Sequence, residues 1–126
     1  MEFALQADAV PTVNADADLL FEAVTNLVSN AIKFTPTGGR IVLRTQADAR
    51  GPRIEILDNG PGIAPEEREA VLQRFYRAQR GENRPGFGLG LSIVAAIVKL
   101  HGFQLEIGAN EPTGSRMTIY CSTVAA

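Results

Sequence analysis

The clearest periodic pattern in this chain is the stretch Asp16-Ala-Asp-Leu-Leu-Phe-Glu-Ala-Val-Thr-Asn-Leu-Val-Ser-Asn-Ala-Ile-Lys-Phe34. Its apolar residues recur at intervals of three and four positions, at Leu20, Ala23, Val24, Leu27, Val28, Ala31 and Ile32. That spacing is typical of an amphipathic helix that buries one face. Asp16 or Asn14 can cap its start, and Thr35-Pro36-Thr-Gly-Gly39 ends it. The sequence therefore predicts a helix from Asp16 to Phe34.

Further strands and helices are predicted downstream of this helix. Runs of apolar and β-branched residues indicate four strands, at Arg40 to Gln46, Arg53 to Asp58, Gln104 to Gly108 and Arg116 to Ser122. Arg50-Gly-Pro52 is a predicted hairpin turn. Two more helices are expected, at Pro65 to Gln79 and from Gly90 to Leu100. We expect an α/β fold of the α+β type, a two-layer sandwich with about three helices on one face of a mixed, mainly antiparallel sheet of about five strands.

Composition sets limits on the class of protein. A chain of 126 residues that is 45% apolar is long enough for one hydrophobic core, so we expect a single domain over residues 1–126. The net charge of -2 argues against a nucleic-acid partner or a membrane-surface partner. No apolar run approaches the roughly 18 residues that span a bilayer. The single cysteine, Cys121, fits a reducing compartment. We expect a cytoplasmic domain without direct membrane contact.

A polar stripe lies opposite the apolar face of the first predicted helix. Asn26 and Asn30 are one turn apart, and Lys33 and Glu22 continue the stripe. Asparagine is a poor interior helix residue, so helix propensity does not explain the pair. One interpretation is a solvated polar face. The other is that an asparagine oxygen binds Mg²⁺, a cation that takes oxygen ligands and shares them with nucleotide phosphates.

The segment Asp58-Asn-Gly-Pro-Gly62 follows directly after a predicted strand. An ordinary Asp-Asn-Gly turn is one interpretation. In the other, the carboxylate of Asp58 projects at the strand end, where Gly60 and Gly62 let a flat ligand approach the backbone. A carboxylate that accepts a hydrogen bond from an exocyclic amine selects adenine, because guanine presents an oxygen acceptor at that position.

The segment Gly86-Phe-Gly-Leu-Gly90 opens the last predicted helix. Unpaired amides and the positive end of the helix dipole make such a loop suitable for phosphate. Arginine side chains upstream can close over phosphates, or belong to a solvated helix end; they are Arg74, Arg77, Arg80 and Arg84. Each of these motifs is weak alone, and their order along the chain is that of an ATP site.

Taken together, four segments resemble the N, G1, F and G2 boxes of bacterial sensor histidine kinases: Asn26 to Lys33, Asp58 to Gly62, Arg74 to Arg77 and Gly86 to Gly90. The chain is similar to the catalytic ATP-binding domain of those kinases. That domain belongs to a superfamily shared with DNA gyrase, mismatch-repair proteins and a heat-shock chaperone. The resemblance implies ATP and Mg²⁺ as cofactors.

The same resemblance implies roles for individual residues. Asn30 would bind Mg²⁺ with Asn26 as its supporting neighbour, Lys33 would contact phosphate, and Arg77 would point toward the γ-phosphate. Phe34 would pack near the base, and Asp58 would accept from the adenine amine. The other nucleotide-binding positions it implies are Gly60, Gly62, Arg74, Gly86, Gly88, Gly90 and Leu91.

Position 26 separates branches of this superfamily, because the hydrolysing relatives that resemble gyrase carry a glutamate there. Asn26 cannot act as a general base, which favours transfer of the phosphoryl group to another protein. The expected partners are the histidine-bearing dimerisation domain of a parent kinase and a response regulator or phosphotransfer protein. No phosphoacceptor helix or sensor domain is expected in this chain, and His101 is expected to be structural.

Two alternatives stay open at the level of sequence. Phe87 replaces a small hydroxyl residue often seen after the first lid glycine, and the lid is short, which suits a degenerate domain that senses nucleotide or binds a protein. An anti-sigma-factor serine kinase on the same fold is the other alternative. The parent protein can be membrane-anchored in any of these cases.

Overall fold

The computed structural model describes residues 2–7, 13–68, 90–111 and 113–121. The strands are β1 (Glu2–Ala7), β2 (Arg40–Asp48), β3 (Gly51–Asp58), β4 (Gln104–Ala109) and β5 (Ser115–Tyr120). The helices are α1 (Ala17–Phe34) and α2 (Gly90–Leu100), with a short 3-10 turn at Pro65–Glu67.

The described strands form one five-stranded sheet in the order β1-β2-β3-β5-β4. β1 runs parallel to β2, and each of the other neighbouring pairs is antiparallel. α1 packs on α2 and on β2 and β3, and α2 reaches β4. The predicted two-layer sandwich with a mixed, mainly antiparallel sheet is therefore confirmed.

The core lies between the helices and the sheet. Its largest fully buried side chains come from both layers, namely Leu27, Ile41, Ile56, Val94 and Ile119. Fully burying one such side chain stabilises the fold by about 1.5–3 kcal/mol. The buried residues of α1 are spaced four apart, as the helical pattern predicted, and the polar stripe runs beside them along the helix.

The limits of α1 follow from local chemistry. The Oδ1 atom of Asp16 accepts a hydrogen bond from the backbone N–H of Leu19 at 3.0 Å, so Asp16 rather than Asn14 is the cap. At the other end, the N–H of Thr35 donates to the carbonyl of Ala31 at 2.9 Å. Thr35 is extended because a residue that precedes proline is disfavoured in the helical region.

Several predicted boundaries differ from the structure. β1 was not placed from sequence, and in the structure only Ala4 of this strand is partly buried, whereas Phe3 and Leu5 are exposed. The β2–β3 turn consists of Ala49 and Arg50, because Gly51 takes a φ of 102° and already pairs with Asp48. β2, β3 and β4 are each longer than predicted, and β5 starts one residue earlier.

The second predicted helix, Pro65 to Gln79, lies only in part within the described residues. There the chain forms the 3-10 turn Pro65–Glu67, and the rest of that helix lies outside the described residues. Within the described parts of the chain there are two α-helices and this one turn, against about three helices predicted. None of the helices in those parts is long and apolar enough to cross a membrane.

His101 and Cys121 both have structural surroundings. The Nε2 atom of His101 accepts from the backbone N–H of Asp16 at 3.0 Å, and its Nδ1 donates to the carbonyl of Ile97 at 2.8 Å. This imidazole therefore joins the start of α1 to the end of α2, as expected of a structural histidine.

Burial raises the pKa of the Cys121 thiol to about 11, so the thiol stays protonated at neutral pH and is a poor nucleophile.

Candidate nucleotide-binding site

The polar stripe of α1 meets the start of α2. The Nδ2 group of Asn26 donates to the carbonyl of Glu22 at 2.9 Å, one turn back in the same helix. A methyl group added at Gly90 would lie 3.7 Å from the Oδ1 atom of Asn26. The side chain of Asn26 thus has its donor occupied by the helix backbone and its oxygen directed toward the first residue of α2. The structure therefore brings together two motifs that are distant in sequence.

Asn30 and Lys33 continue the stripe along the same side of α1. Both side chains are partly buried, as is that of Asn26. Spacings of three and four residues place these groups one above the other on the helix. An amide oxygen is a suitable ligand for Mg²⁺, and a lysine ammonium is a suitable partner for phosphate. The donor set of the stripe thus fits a metal ion shared with a nucleotide.

Asp58 ends β3 and is 5% exposed. Its Oδ1 atom accepts from the backbone N–H of Gly60 at 2.9 Å and from that of Ser115 at 3.2 Å. Its Oδ2 atom accepts from the hydroxyl of Ser115 at 2.5 Å. The carboxylate thus lies at the end of β3, nearly fully buried and held by donors from Gly60 and from Ser115 of β5.

The carboxylate of Asp58 still has capacity for a ligand. A carboxylate offers about four acceptor positions. Oδ1 uses two of them and Oδ2 one, so one position on Oδ2 has no partner among the described residues. A buried acceptor with a vacant position and a fixed direction is suited to one hydrogen-bond donor of a ligand, such as an exocyclic amine.

Gly60 and Gly62 are required by close packing. A Cβ at Gly60 would lie 2.9 Å from the carbonyl oxygen of Phe34 and 3.2 Å from the Oδ1 atom of Asp58. Gly62 has a φ of 80°, and a Cβ there would lie 3.0 Å from the carbonyl oxygen of Gly114. These contacts bring the end of α1 against the segment after β3. The backbone of Phe34 therefore lies beside Gly60 and, through it, near Asp58.

Sequence reasoning missed Ser115, which gives Asp58 two of its hydrogen bonds. The pairing of Leu57 with Arg116 puts Ser115 directly beside Asp58 on the neighbouring strand. The available signal was a small hydroxyl residue after Gly114 at the start of a predicted strand. That signal was weak because strand pairing cannot be read from one sequence without knowing the sheet order.

The start of α2 contributes backbone rather than side chains. Leu91 is 7% exposed and belongs to the hydrophobic core, so its side chain is not part of a nucleotide surface. The first turn of an α-helix has N–H groups without partners inside the helix and the positive end of its dipole. Gly90 and Leu91 can therefore offer amides to an anion.

Four predicted site residues lie outside the described residues: Arg74, Arg77, Gly86 and Gly88. The same holds for Phe87, Arg80 and Arg84. Their roles stay predictions. Among the described residues no group of three or more histidine, cysteine, aspartate or glutamate side chains is placed to hold a metal ion.

Residues 15–124 match the family of histidine kinase-, DNA gyrase B- and HSP90-like ATPases. The signal transduction histidine-protein kinase/phosphatase MprB of Mycolicibacterium smegmatis is 46% identical over 104 residues, which cover 82% of this chain and 21% of that protein. The sensor protein kinase PmrB of Pseudomonas aeruginosa is 39% identical, covering 86% of this chain and 22% of its own. The chain thus spans about a fifth of the length of these relatives.

Solved structures show the same architecture. A mycobacterial sensor histidine kinase MprB superposes with a TM-score of 0.82 at 38% identity, covering 94% of this chain and 80% of that one. Full-length ShkA in complex with AMPPNP superposes with a TM-score of 0.81 at 30% identity, covering 99% of this chain and 26% of that one. The chain therefore belongs to the histidine kinase-, DNA gyrase B- and HSP90-like ATPases, as an ATPase domain of the sensor histidine kinase type.

Proposed function

We propose that this domain binds ATP with Mg²⁺ and transfers the γ-phosphoryl group to a histidine on a separate, dimerising helical domain. The observation that carries the proposal is the buried carboxylate of Asp58, which keeps one acceptor position without a partner among the described residues. It lies beside the end of the helix that bears Asn26, Asn30 and Lys33. The end of β3, with Asp58, would bind the base, and α1 would hold the phosphates and the metal ion.

Base recognition would follow from the donor pattern around Asp58. Its carboxylate is held by Gly60 and Ser115, so it cannot rotate away from an unsuitable ligand. The 6-amino group of adenine donates to such an acceptor, whereas the 6-oxo group of guanine or hypoxanthine places one acceptor against another. Phe34, whose carbonyl packs on Gly60, is the neighbour that would cover the base.

The phosphate end of the nucleotide would lie along the polar stripe. Mg²⁺ supplies positive charge to the phosphate oxygens when it is bound there. Asn30 would hold it through its amide oxygen, and Lys33 would contact phosphate directly. Arg77 would stabilise charge on the transferring group, and the first backbone N–H groups of α2 would donate to a phosphate oxygen.

Asn26 distinguishes transfer from hydrolysis. Its amide has no basic atom, and its Nδ2 group is engaged with the carbonyl of Glu22. A water molecule near this position would therefore lack a general base. Slow hydrolysis keeps the γ-phosphoryl group available for an acceptor in another domain, and a response regulator or phosphotransfer protein would then receive it. We place the domain in the cytoplasm as part of a longer sensor protein.

We expect Asn30→Ala to lose the dependence of nucleotide binding on Mg²⁺. Removing the amide oxygen takes away a ligand of the metal, so the gain in ATP affinity on adding Mg²⁺ should fall by about tenfold, or 1.4 kcal/mol. Calorimetric titration of ATP with and without Mg²⁺ measures this gain directly.

Thr25→Ala is the matched control, because Thr25 is exposed on the same helix but off the stripe. It should leave the gain unchanged. If Asn30→Ala responds to Mg²⁺ as strongly as the unsubstituted protein does, Asn30 is not a metal ligand. If the unsubstituted domain binds no ATP at all, the proposed function itself is contradicted.

A further inference from the structure

The connection between β4 and β5 is hydrogen-bonded to the segment that carries Asp58. The Nδ2 group of Asn110 donates to the backbone carbonyl of Asp58 at 2.9 Å. The hydroxyl of Thr113 donates to the backbone carbonyl of Gly60 at 2.8 Å. Two side chains of one connection therefore bond to the two carbonyls on either side of Asn59.

The same connection is pressed closely onto that segment. The N–H of Asn110 donates to the carbonyl of Gly114 at 3.1 Å, which closes the connection on itself. A Cβ at Gly114 would lie 1.8 Å from the carbonyl oxygen of Asp58 and 2.8 Å from the Cα atom of Asn59. Gly114 thus packs directly on the backbone of Asp58 and Asn59.

These bonds fix the direction of the Gly60 N–H. Asn110 orients the peptide group before Asn59, and Thr113 orients the peptide group after Gly60. The N–H between them donates to the Oδ1 atom of Asp58 at 2.9 Å and so holds the carboxylate. If either bond is lost, the Gly60 N–H can tilt and the carboxylate of Asp58 gains rotational freedom.

We propose that Asn110 and Thr113 are positioning residues that set the base specificity of this site without touching the nucleotide. The inference rests on the proposed role of Asp58 in adenine recognition. A fixed carboxylate keeps its vacant acceptor position facing a 6-amino group and cannot turn away from a 6-oxo group. A loosened carboxylate tolerates both groups. The preference for adenine over hypoxanthine is therefore the property that these two residues control.

The test compares ADP with IDP, which differ in the 6-amino and 6-oxo groups. Dissociation constants of both, with Mg²⁺ present, are measured by calorimetry for Thr113→Val, which keeps the shape of the side chain and removes its hydroxyl. The ratio of the IDP dissociation constant to the ADP dissociation constant should fall by about fivefold, the equivalent of one net hydrogen bond of ~1 kcal/mol. Thr113→Ser retains the hydroxyl and should keep the ratio of the unsubstituted protein. Thr25→Val is the control for the substitution itself.

The possible outcomes separate base recognition by Asp58 from the positioning role of Thr113 and Asn110. Equal affinity of the unsubstituted protein for ADP and IDP would show that Asp58 does not recognise the base, and would overturn the inference as well. If the unsubstituted protein prefers ADP and Thr113→Val keeps the same ratio, the positioning role is wrong even when both nucleotides bind more weakly. Asn110→Leu, which removes the other bond, gives a second and independent reading should Thr113→Val fail to fold. Its ratio of the IDP constant to the ADP constant should fall in the same way, and an unchanged ratio would overturn the inference.

Discussion

Gly114→Ala is expected to lower the free energy of unfolding by at least ~3 kcal/mol. The added Cβ would lie 1.8 Å from the carbonyl oxygen of Asp58, which is backbone and cannot move aside by a side-chain rotation. Gly114 also has a φ of 120°, a conformation that residues with a Cβ rarely adopt. The connection between β4 and β5 would have to separate from β3, so the contacts of Ser115 with Asp58 would be lost as well.

Gly38→Ala separates the two causes of this effect. Gly38 has a φ of 86°, but a Cβ there would meet nothing within 4 Å. This variant therefore has the conformational cost alone, about 1–2 kcal/mol. Urea unfolding followed by circular dichroism measures both variants on one scale. Equal losses for the two variants would show that the close approach of Gly114 to Asp58 is not what makes this glycine necessary.

Asp58→Asn is expected to weaken ADP binding by about 5- to 150-fold, the cost of roughly 1–3 kcal/mol for a lost buried hydrogen-bond partner. The backbone N–H groups of Gly60 and Ser115 require the oxygen of the new amide, so its NH2 group takes the place of Oδ2. That group is a donor and would face the 6-amino group of adenine. The 6-oxo group of hypoxanthine would become the better partner, so the preference should reverse toward IDP.

The measurement is the affinity of ADP and IDP for the Asp58→Asn variant, with Asp18→Asn as control. Asp18 is an exposed carboxylate in the first turn of α1, so its substitution changes the net charge equally without touching the site. A variant at position 58 that binds ADP as tightly as the unsubstituted protein would show that the carboxylate does not read the base.

Local patterns predicted most of the fold because each helix or strand carries its own periodicity. α1 was predicted within one residue from its apolar spacing and its Asp16 cap. β1 was missed because a short edge strand with exposed Phe3 and Leu5 buries too little to stand out from a polar segment. The register of that strand against β2 is a long-range pairing, which a single sequence does not specify.

The candidate site was predictable where one segment supplies several groups. Asn26, Asn30 and Lys33 lie on one helix, so their spacing alone predicts a common face. The surroundings of Asp58 were not predictable, because Ser115, Asn110 and Thr113 approach it from the other end of the chain through the β3–β5 pairing. A carboxylate at a strand end indicated a functional position at Asp58. The burial of this carboxylate and the groups that donate to it could be found only from the structure.

A transfer experiment in trans tests directly whether this domain donates the γ-phosphoryl group of ATP to a histidine on a separate domain. The domain is incubated with γ-labelled ATP and Mg²⁺, alone and with a separately produced histidine-bearing dimerisation domain of a related sensor kinase. Alone, it should bind ATP, release phosphate slowly and carry no label, because Asn26 provides no general base and the imidazole of His101 is engaged with Asp16 and Ile97. With the helical domain present, acid-labile label should accumulate on that domain's histidine. Label on His101, or rapid phosphate release by the isolated domain, would contradict the account.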